Sequence, residues 1–135
     1  MTIAVDFDGT IVEHAYPRIG KEKPFAFDTL KALQAEGHRL ILWTSRDGDL
    51  LEEAVAYCKK NGVTFYAVNS STPPEALFHG RPDGLSAKIK ADVYIDDRNI
   101  GGLPDWGEIY TLITNKHRER HRRHRRGLFG WLKKR

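Results

Sequence analysis

Most of the sequence alternates short, wholly apolar runs with longer segments of helical periodicity, and this alternation limits the possible folds more than any other feature. Continuous apolar runs predict buried strands at residues 2–6, 38–44, 64–68 and 92–95. Apolar residues at helical spacing predict helices at residues 24–36, at residues 49–60 and from about residue 104 onward. Strands that are apolar throughout and alternate with helices indicate a parallel sheet with helices on both faces. We therefore expect a three-layer α/β fold.

Composition and the N-terminus argue against several classes of protein. The single cysteine, Cys58, cannot form a disulfide within the chain, and its place on the apolar face of a predicted helix indicates packing. The first residues include an acid, Asp6, and no basic stretch, so they do not resemble a signal peptide. No apolar run approaches the ~18 residues of a membrane span. These features predict a cytoplasmic protein.

Polar side chains stand at the carboxyl ends of three predicted strands. Asp6 ends the first strand, Thr44 ends the second, and Asp96 and Asp97 follow the last. Ligands of parallel α/β sheets collect at this edge of the sheet. Three separate strands therefore direct polar groups to one place, which predicts a functional site there.

Residues 6–10 (DFDGT) have the chemistry of a metal-assisted phosphate site. In extended backbone Asp6 and Asp8 lie on one side while Phe7 points to the core, and Gly9 allows a sharp exit from the strand. Two neighbouring carboxylates repel unless a cation lies between them, and Mg²⁺ prefers such oxygen ligands. One aspartate can then attack phosphorus while the other handles the leaving-group proton. The alternative interpretation is an acidic turn after a strand.

This segment and two later ones resemble motifs of the haloacid dehalogenase (HAD) superfamily of phosphatases. DFDGT resembles the first motif, LWTSR at 42–46 the second, and ADVYIDD at 91–97 the fourth. The lysine of the third motif would be Lys88 or Lys90. The resemblance implies a Rossmann-like sheet, hydrolysis of a phosphomonoester through an aspartyl-phosphate, and Mg²⁺ as the cofactor.

The resemblance also implies roles for the acids. Asp6 would be the nucleophile and a metal ligand. Asp8 would protonate the leaving oxygen, then activate the hydrolytic water, and give its backbone carbonyl to the metal. Asp97, with or without Asp96, would complete the Mg²⁺ shell.

The remaining matched positions are polar or cationic. Thr44 would donate a hydrogen bond to the phosphoryl group, although it could also be only a β-branched residue at a strand end. Lys88 would neutralise the charge of Asp6 and of the phosphate, although it could also be a solvated charge beside a strand. Arg46 could hold a phosphate bidentately, or pair with Asp47 or Asp49. Substrate binding is expected at four positions: Gly9, Thr10, Ser45 and Arg46.

The spacing of the motifs implies that the chain lacks a cap domain. The gaps at 11–23 and 69–84 are too short or too loop-like to hold one, so the site would admit bulky substrates. The DDR at 96–98 resembles polynucleotide kinase-phosphatases and some nucleotidases, which favours phosphate on a nucleotide or nucleic acid end. His14 could contact the substrate or simply be exposed. Four aromatic residues could stack a nucleobase or serve in packing: Tyr16, Trp43, Tyr66 and Trp106.

Two other functions stay compatible with this pattern. One is a HAD-like binding or regulatory protein with little catalysis, and the other is a phosphotransferase on the same scaffold. The presence of both Asp6 and Asp8 disfavours the first. The sequence does not decide whether the protein forms a homo-oligomer.

The charge divides the chain into a predicted domain at 1–115 and a basic tail at 116–135. The tail holds ten Lys/Arg and one acid, Glu119, whereas the first part holds 12 Lys/Arg and 17 Asp/Glu. Cationic residues of the tail could bind nucleic acid, and the apolar residues of its last segment, GLFGWLKKR, would suit an anionic membrane surface. The alternative is a flexible, solvated tail.

Overall fold

Four parallel strands form one sheet in the computed structural model, which describes residues 1–74 and 87–133. The strands are β1 (Thr2–Val5), β2 (Arg39–Leu42), β3 (Ala67–Val68) and β4 (Val93–Ile95). Their order across the sheet is β3-β2-β1-β4. Val5 pairs with Leu42 on one side and with Ile95 on the other, so the three strands end side by side. The predicted α/β fold with a parallel sheet is confirmed.

The described residues form three helices: α1 (Ala26–Ala35), α2 (Gly48–Lys60) and α3 (Trp106–Leu132). The first two bury apolar side chains at helical spacing, which are Phe27, Leu30 and Leu33 of α1 and Ala54 and Cys58 of α2. The Tyr57 ring of α2 makes edge contacts with Phe7 and Phe27, at centroid distances of 6.4 and 5.7 Å. Burial raises the pKa of the Cys58 thiol to about 12, so this thiol serves in packing, as predicted.

All four strands are shorter than predicted, β1 and β4 by one residue each and β2 and β3 by three each. Near one end of β2 and of β3, a side chain accepts a hydrogen bond from the backbone. The predicted strand 64–68 is reduced to β3, and the backbone N–H of Thr64 donates to the Gln34 side chain at 3.1 Å. The predicted strand 38–44 ends at Leu42. The N–H of Thr44 donates to the Asn69 side chain at 2.8 Å instead of continuing the ladder. Of the predicted loop 69–84, residues 75–84 lie outside the described residues.

The chain divides into compact units at Met1–Leu103 and Pro104–Arg135, earlier than the predicted boundary at 115. The second unit begins where the sequence predicts a helix, because the Asp105 side chain accepts from the Glu108 N–H at 2.9 Å and caps α3. Residues 116–132 continue this helix. The flexibility of the tail stays a prediction. Among the described residues, no helix is both long and apolar enough to cross a bilayer.

Candidate functional site

Three carboxylates meet at the carboxyl edge of the sheet. Asp6 follows β1, Asp96 and Asp97 follow β4, and one oxygen of each lies within 4.8 Å of the other two. The adjacency of β1 and β4 produces this cluster, since the Asp6 N–H donates to the Ile95 carbonyl at 3.0 Å just before the chain leaves the sheet. All three acids are half-buried. The predicted convergence of strand-end acids is therefore present in the structure.

Thr10 holds two of these acids in place. Its hydroxyl donates to Asp6 Oδ2 at 3.0 Å, lies 3.3 Å from Asp97 Oδ1, and accepts from the Asp97 backbone N–H at 3.0 Å. Thr10 is wholly buried. We expected this residue to bind substrate, but the structure places its side chain behind the acids, where it positions them.

One carboxyl of the acid cluster, that of Asp6, keeps its proton to a higher pH than an ordinary aspartate does. Burial, the charge of Asp96 and a hydrogen bond with Asp97 together raise the pKa of Asp6 to about 7. Burial acts to raise the pKa of Asp97 as well, but hydrogen bonds with His14, Asp6 and Thr10 outweigh it and lower this pKa. Without a cation, the pair therefore keeps a proton on Asp6 up to neutral pH.

His14 and Gly9 close one side of the cluster. The His14 Nε2 atom lies 2.9 Å from Asp97 Oδ2, so His14 is in hydrogen-bond contact with the acid cluster. Gly9 has a φ of +84°, and a Cβ there would lie 2.2 Å from His14 Nε2 and 2.5 Å from Asp97 Oδ2. The glycine is thus needed both for its backbone conformation and for the space that His14 occupies.

We expect Gly9→Ala to displace His14 and to destabilise the protein by about 2–4 kcal/mol, because the left-handed backbone and the overlap both oppose a methyl group. Gly37→Ala is the matched control, since Gly37 has a φ of +90° and a Cβ added there would meet nothing within 4 Å. Denaturant unfolding of both variants measures the difference. Equal losses for the two variants would show that the overlap at Gly9 is relieved without cost.

Asp8 lies apart from the acid cluster and is bound by Arg46. The guanidinium donates from Nε to Asp8 Oδ2 at 2.7 Å and from Nη2 to Oδ1 at 2.8 Å, a bidentate pair. The Arg46 side chain is 1% exposed and that of Asp8 15% exposed. The hydrogen bonds to Asp8 raise the pKa of Arg46. The partner of Arg46 is therefore Asp8, and neither Asp47 nor Asp49.

The same guanidinium also holds the loop that follows Gly9. Its Nη1 donates to the Pro17 carbonyl at 3.2 Å, and its Nη2 donates to the Arg18 carbonyl at 2.9 Å. The Tyr16 and Phe7 rings lie 5.2 and 5.1 Å from the guanidinium carbon. Arg46 therefore connects the end of β2 to Asp8 and to this loop at once.

The other predicted residues divide between the site and its surroundings. The Thr44 hydroxyl oxygen accepts from the Arg46 N–H at 3.1 Å. This bond uses a lone pair of the oxygen and leaves the Thr44 O–H able to donate to a ligand. The Lys88 ammonium lies 5.7 Å from the Tyr94 ring centre. Lys90 is exposed, and its N–H donates to the Ser71 hydroxyl at 2.8 Å. A role for Lys88 or Lys90 in the site stays a prediction.

An open cavity of about 600 Å³ lies against Asp6 and Asp96 of the acid cluster. Predicted site residues form much of its wall, namely Asp6, Asp8, Thr44, Ser45, Arg46 and Asp96. Its rim includes Tyr16, Trp43 and Arg98, and Tyr16 is 59% exposed. Neither Lys88 nor Lys90 is among the described residues that line it. The cavity combines acids, a hydroxyl and aromatic rings around one opening.

The fold and the site define an α/β protein with an acidic cluster at the carboxyl edge of a parallel sheet. A solved structure of a conserved protein from Bacteroides thetaiotaomicron has 60% sequence identity and a TM-score of 0.78 to it, over 86% of this chain and 91% of that chain. The chain belongs to the family of that conserved protein. No family model and no curated protein matches the chain.

Proposed function

We propose that this protein is a HAD-like, Mg²⁺-dependent phosphomonoester hydrolase in which Asp6 is the nucleophile. The observation that carries the proposal is the meeting of Asp6, Asp96 and Asp97 within 4.8 Å at the open end of the sheet. The proposal includes the three-layer arrangement of the fold, the lack of a cap domain and a cytoplasmic location. Each of these comes from the sequence patterns and from the resemblance to the HAD motifs.

The residues of the cluster fit a hard divalent cation. Carboxylate oxygens are the ligands that Mg²⁺ prefers, and three of them lie close enough to share one ion. The raised pKa of Asp6 is consistent with this fit, because burial first and the charge of Asp96 second disfavour the ionised form of Asp6, and a bound cation would offset both effects. When bound, Mg²⁺ would offset the charge of the acids and of the phosphoryl oxygens. The Asp8 backbone carbonyl is a further proposed ligand.

The proposed reaction uses four side chains of the site in turn. An oxygen of Asp6 attacks phosphorus, the bond to the leaving oxygen breaks, and the Thr44 hydroxyl donates to the transferring group. Asp8 supplies the proton that the leaving oxygen needs. Both of its oxygens accept from the guanidinium of Arg46 in this structure, so Asp8 must first release one of these bonds and take up a proton from solvent on the freed oxygen. Water then attacks the phosphorus of the Asp6 acyl phosphate, the bond between phosphorus and the Asp6 oxygen breaks, and Asp8 accepts a proton from that water.

The aromatic rim supports a nucleotide or a nucleic acid end as substrate. Tyr16 and Trp43 line the cavity beside the acids and are exposed, so their ring faces can receive a base. Tyr66 lies under the Arg39 guanidinium at 4.7 Å, and Trp106 is buried. We assign packing to these two residues and keep the stacking role for Tyr16 and Trp43.

A phosphatase screen with and without Mg²⁺ tests the proposal directly. We expect EDTA to remove the activity and Mg²⁺ to restore it. We also expect Mg²⁺ at about 100 times its dissociation constant to add about 2.7 kcal/mol of stability by binding the folded state. Asp97→Asn should lose most of this shift, whereas Asp28→Asn, an exposed acid of α1, should retain it. A Mg²⁺ shift in thermal unfolding that is identical in all three proteins would contradict the assigned ligands.

One observation favours a second candidate, a binding or regulatory protein with little turnover. The bidentate bond to Arg46 restrains Asp8 in this structure, and a restrained Asp8 cannot easily donate a proton. Such a protein would still bind Mg²⁺ and a phosphorylated ligand. The screen separates the two functions, because the second predicts a phosphate-dependent thermal shift without phosphate release.

A further inference from the structure

The second half of α3 carries two kinds of side chain that the proposed hydrolase does not use. Its basic stretch consists of Lys116, Arg118, Arg120, Arg122, Arg123, Arg125 and Arg126. After this stretch come four large apolar residues that are between 54 and 63% exposed: Leu128, Phe129, Trp131 and Leu132. We call residues 116–133 the basic helix segment.

The four apolar side chains share one side of the helix. At about 100° per residue they span an arc of roughly 160°, while Gly127, Gly130 and Lys133 fall on the opposite arc. Two glycines and a lysine leave that second side small and polar. The last two turns of α3 are therefore amphipathic, and the turns directly before them carry cations on all sides of the helix.

We propose that the basic helix segment is a peripheral anchor for an anionic lipid bilayer. Arginines meet the lipid phosphates, while Leu128, Phe129, Trp131 and Leu132 enter the boundary between headgroups and acyl chains. Arg123 and His124 lie beside Leu128 and Trp131 around one shallow groove, so a cationic side chain borders the apolar ones. This combination matches the two components of an anionic bilayer surface.

Other occupants use only part of this surface. Nucleic acid would pair with the arginines and leave the four apolar side chains in water. A second copy of the helix could cover the apolar side, but it would bring two strongly cationic segments together. An anionic bilayer satisfies both features. The anchor is reversible, because four apolar residues are far fewer than a spanning helix contains.

Sedimentation of the full chain with vesicles tests this inference. We expect binding to vesicles of mixed phosphatidylcholine and phosphatidylglycerol, and at least tenfold weaker binding to phosphatidylcholine alone. Raising the salt from about 0.1 M to about 0.5 M should also weaken binding at least tenfold. Leu128→Ser should weaken it about tenfold. Leu112→Ser is the matched control, because Leu112 belongs to the same helix and is 53% exposed, against 54% for Leu128.

Brominated lipids provide a second measurement. They should quench part of the tryptophan fluorescence of the wild-type chain, and Trp131→Phe should remove the quenched part. Three results would overturn the inference: no binding to either vesicle, equal losses for Leu128→Ser and Leu112→Ser, or tighter binding to duplex DNA that is indifferent to Leu128→Ser. Self-association that depends on Leu128 without vesicle binding would assign the surface to a second copy of the chain.

Discussion

Asp6→Asn is expected to reduce phosphate release from an aryl phosphate by on the order of 10⁴-fold or more, because an amide cannot form the aspartyl-phosphate. The change also has an effect on stability. The folded protein raises the pKa of Asp6 to about 7 from its ordinary value of 3.8, mainly through burial and then through the charge of Asp96. The ionised form of Asp6 is therefore less stable in the folded protein than in the unfolded chain.

The sign of the pH dependence follows from this shift. Between about pH 4 and pH 7 the folded protein keeps a proton on Asp6 that the unfolded chain has lost, so stability falls as the pH rises through this window. Asparagine does not titrate, and its amide can accept from Thr10 and donate toward Asp97 as a protonated carboxyl does. We expect Asp6→Asn to be more stable than wild type by about 1–2 kcal/mol at pH 8 without metal, after discounting for solvent screening of a half-buried group.

Thermal unfolding at pH 4 and pH 8, in EDTA and in Mg²⁺, measures both effects. The gain from Asp6→Asn should be present at pH 8 in EDTA, small at pH 4, and reduced when Mg²⁺ stabilises wild type. Asp28→Asn controls for the general removal of a carboxylate. Undiminished turnover in Asp6→Asn would end the nucleophile assignment, and a variant less stable than wild type at pH 8 would contradict the account of the acid cluster.

Strand ends were the part of the site that the sequence could predict. Apolar runs and helical periodicity are local properties, and Asp6, Asp96 and Asp97 directly follow two such runs. Parallel strands bring their ends to one edge, so the acids had to lie near each other once β1 and β4 were neighbours. Strands are shorter than predicted where the side chain of a distant residue binds the backbone, as when the Gln34 side chain accepts from the Thr64 N–H.

Contacts between distant segments were beyond the sequence. Arg46 lies 38 positions from Asp8, and two nearer acids, Asp47 and Asp49, were the obvious local partners. The fold alone decides that the guanidinium turns toward Asp8. The place of the Thr10 hydroxyl could not be predicted for a related reason, since only the turn after Gly9 shows that it points back to the acids. Substrate binding by Thr10 stays a prediction. The His14–Asp97 contact, 83 positions apart, had no sequence signal beyond the loop position of His14.

Arg46→Ala is expected to destabilise the protein by about 3–5 kcal/mol, because it leaves the Asp8 carboxylate largely buried without its guanidinium partner. The carbonyls of Pro17 and Arg18 lose their donor in the same change. Asp8→Asn in the Arg46→Ala background should recover part of the loss, since it removes the unpaired charge. Arg39→Ala, an exposed arginine at the start of β2, should cost less than about 1 kcal/mol.

Arg46→Lys separates a positioning role from phosphate binding. Lysine keeps the charge but lacks the planar fork, so it cannot hold both Asp8 oxygens and two carbonyls together. If Arg46 acts through Asp8, kcat should fall by about 10–100-fold while KM for a small aryl phosphate stays within about threefold. The pH profile of kcat should change as well, because the environment of the proton-transferring group has changed. An increase in KM with unchanged kcat would instead show that the guanidinium binds the phosphate of the substrate, and it would require Arg46 to leave Asp8 when substrate enters.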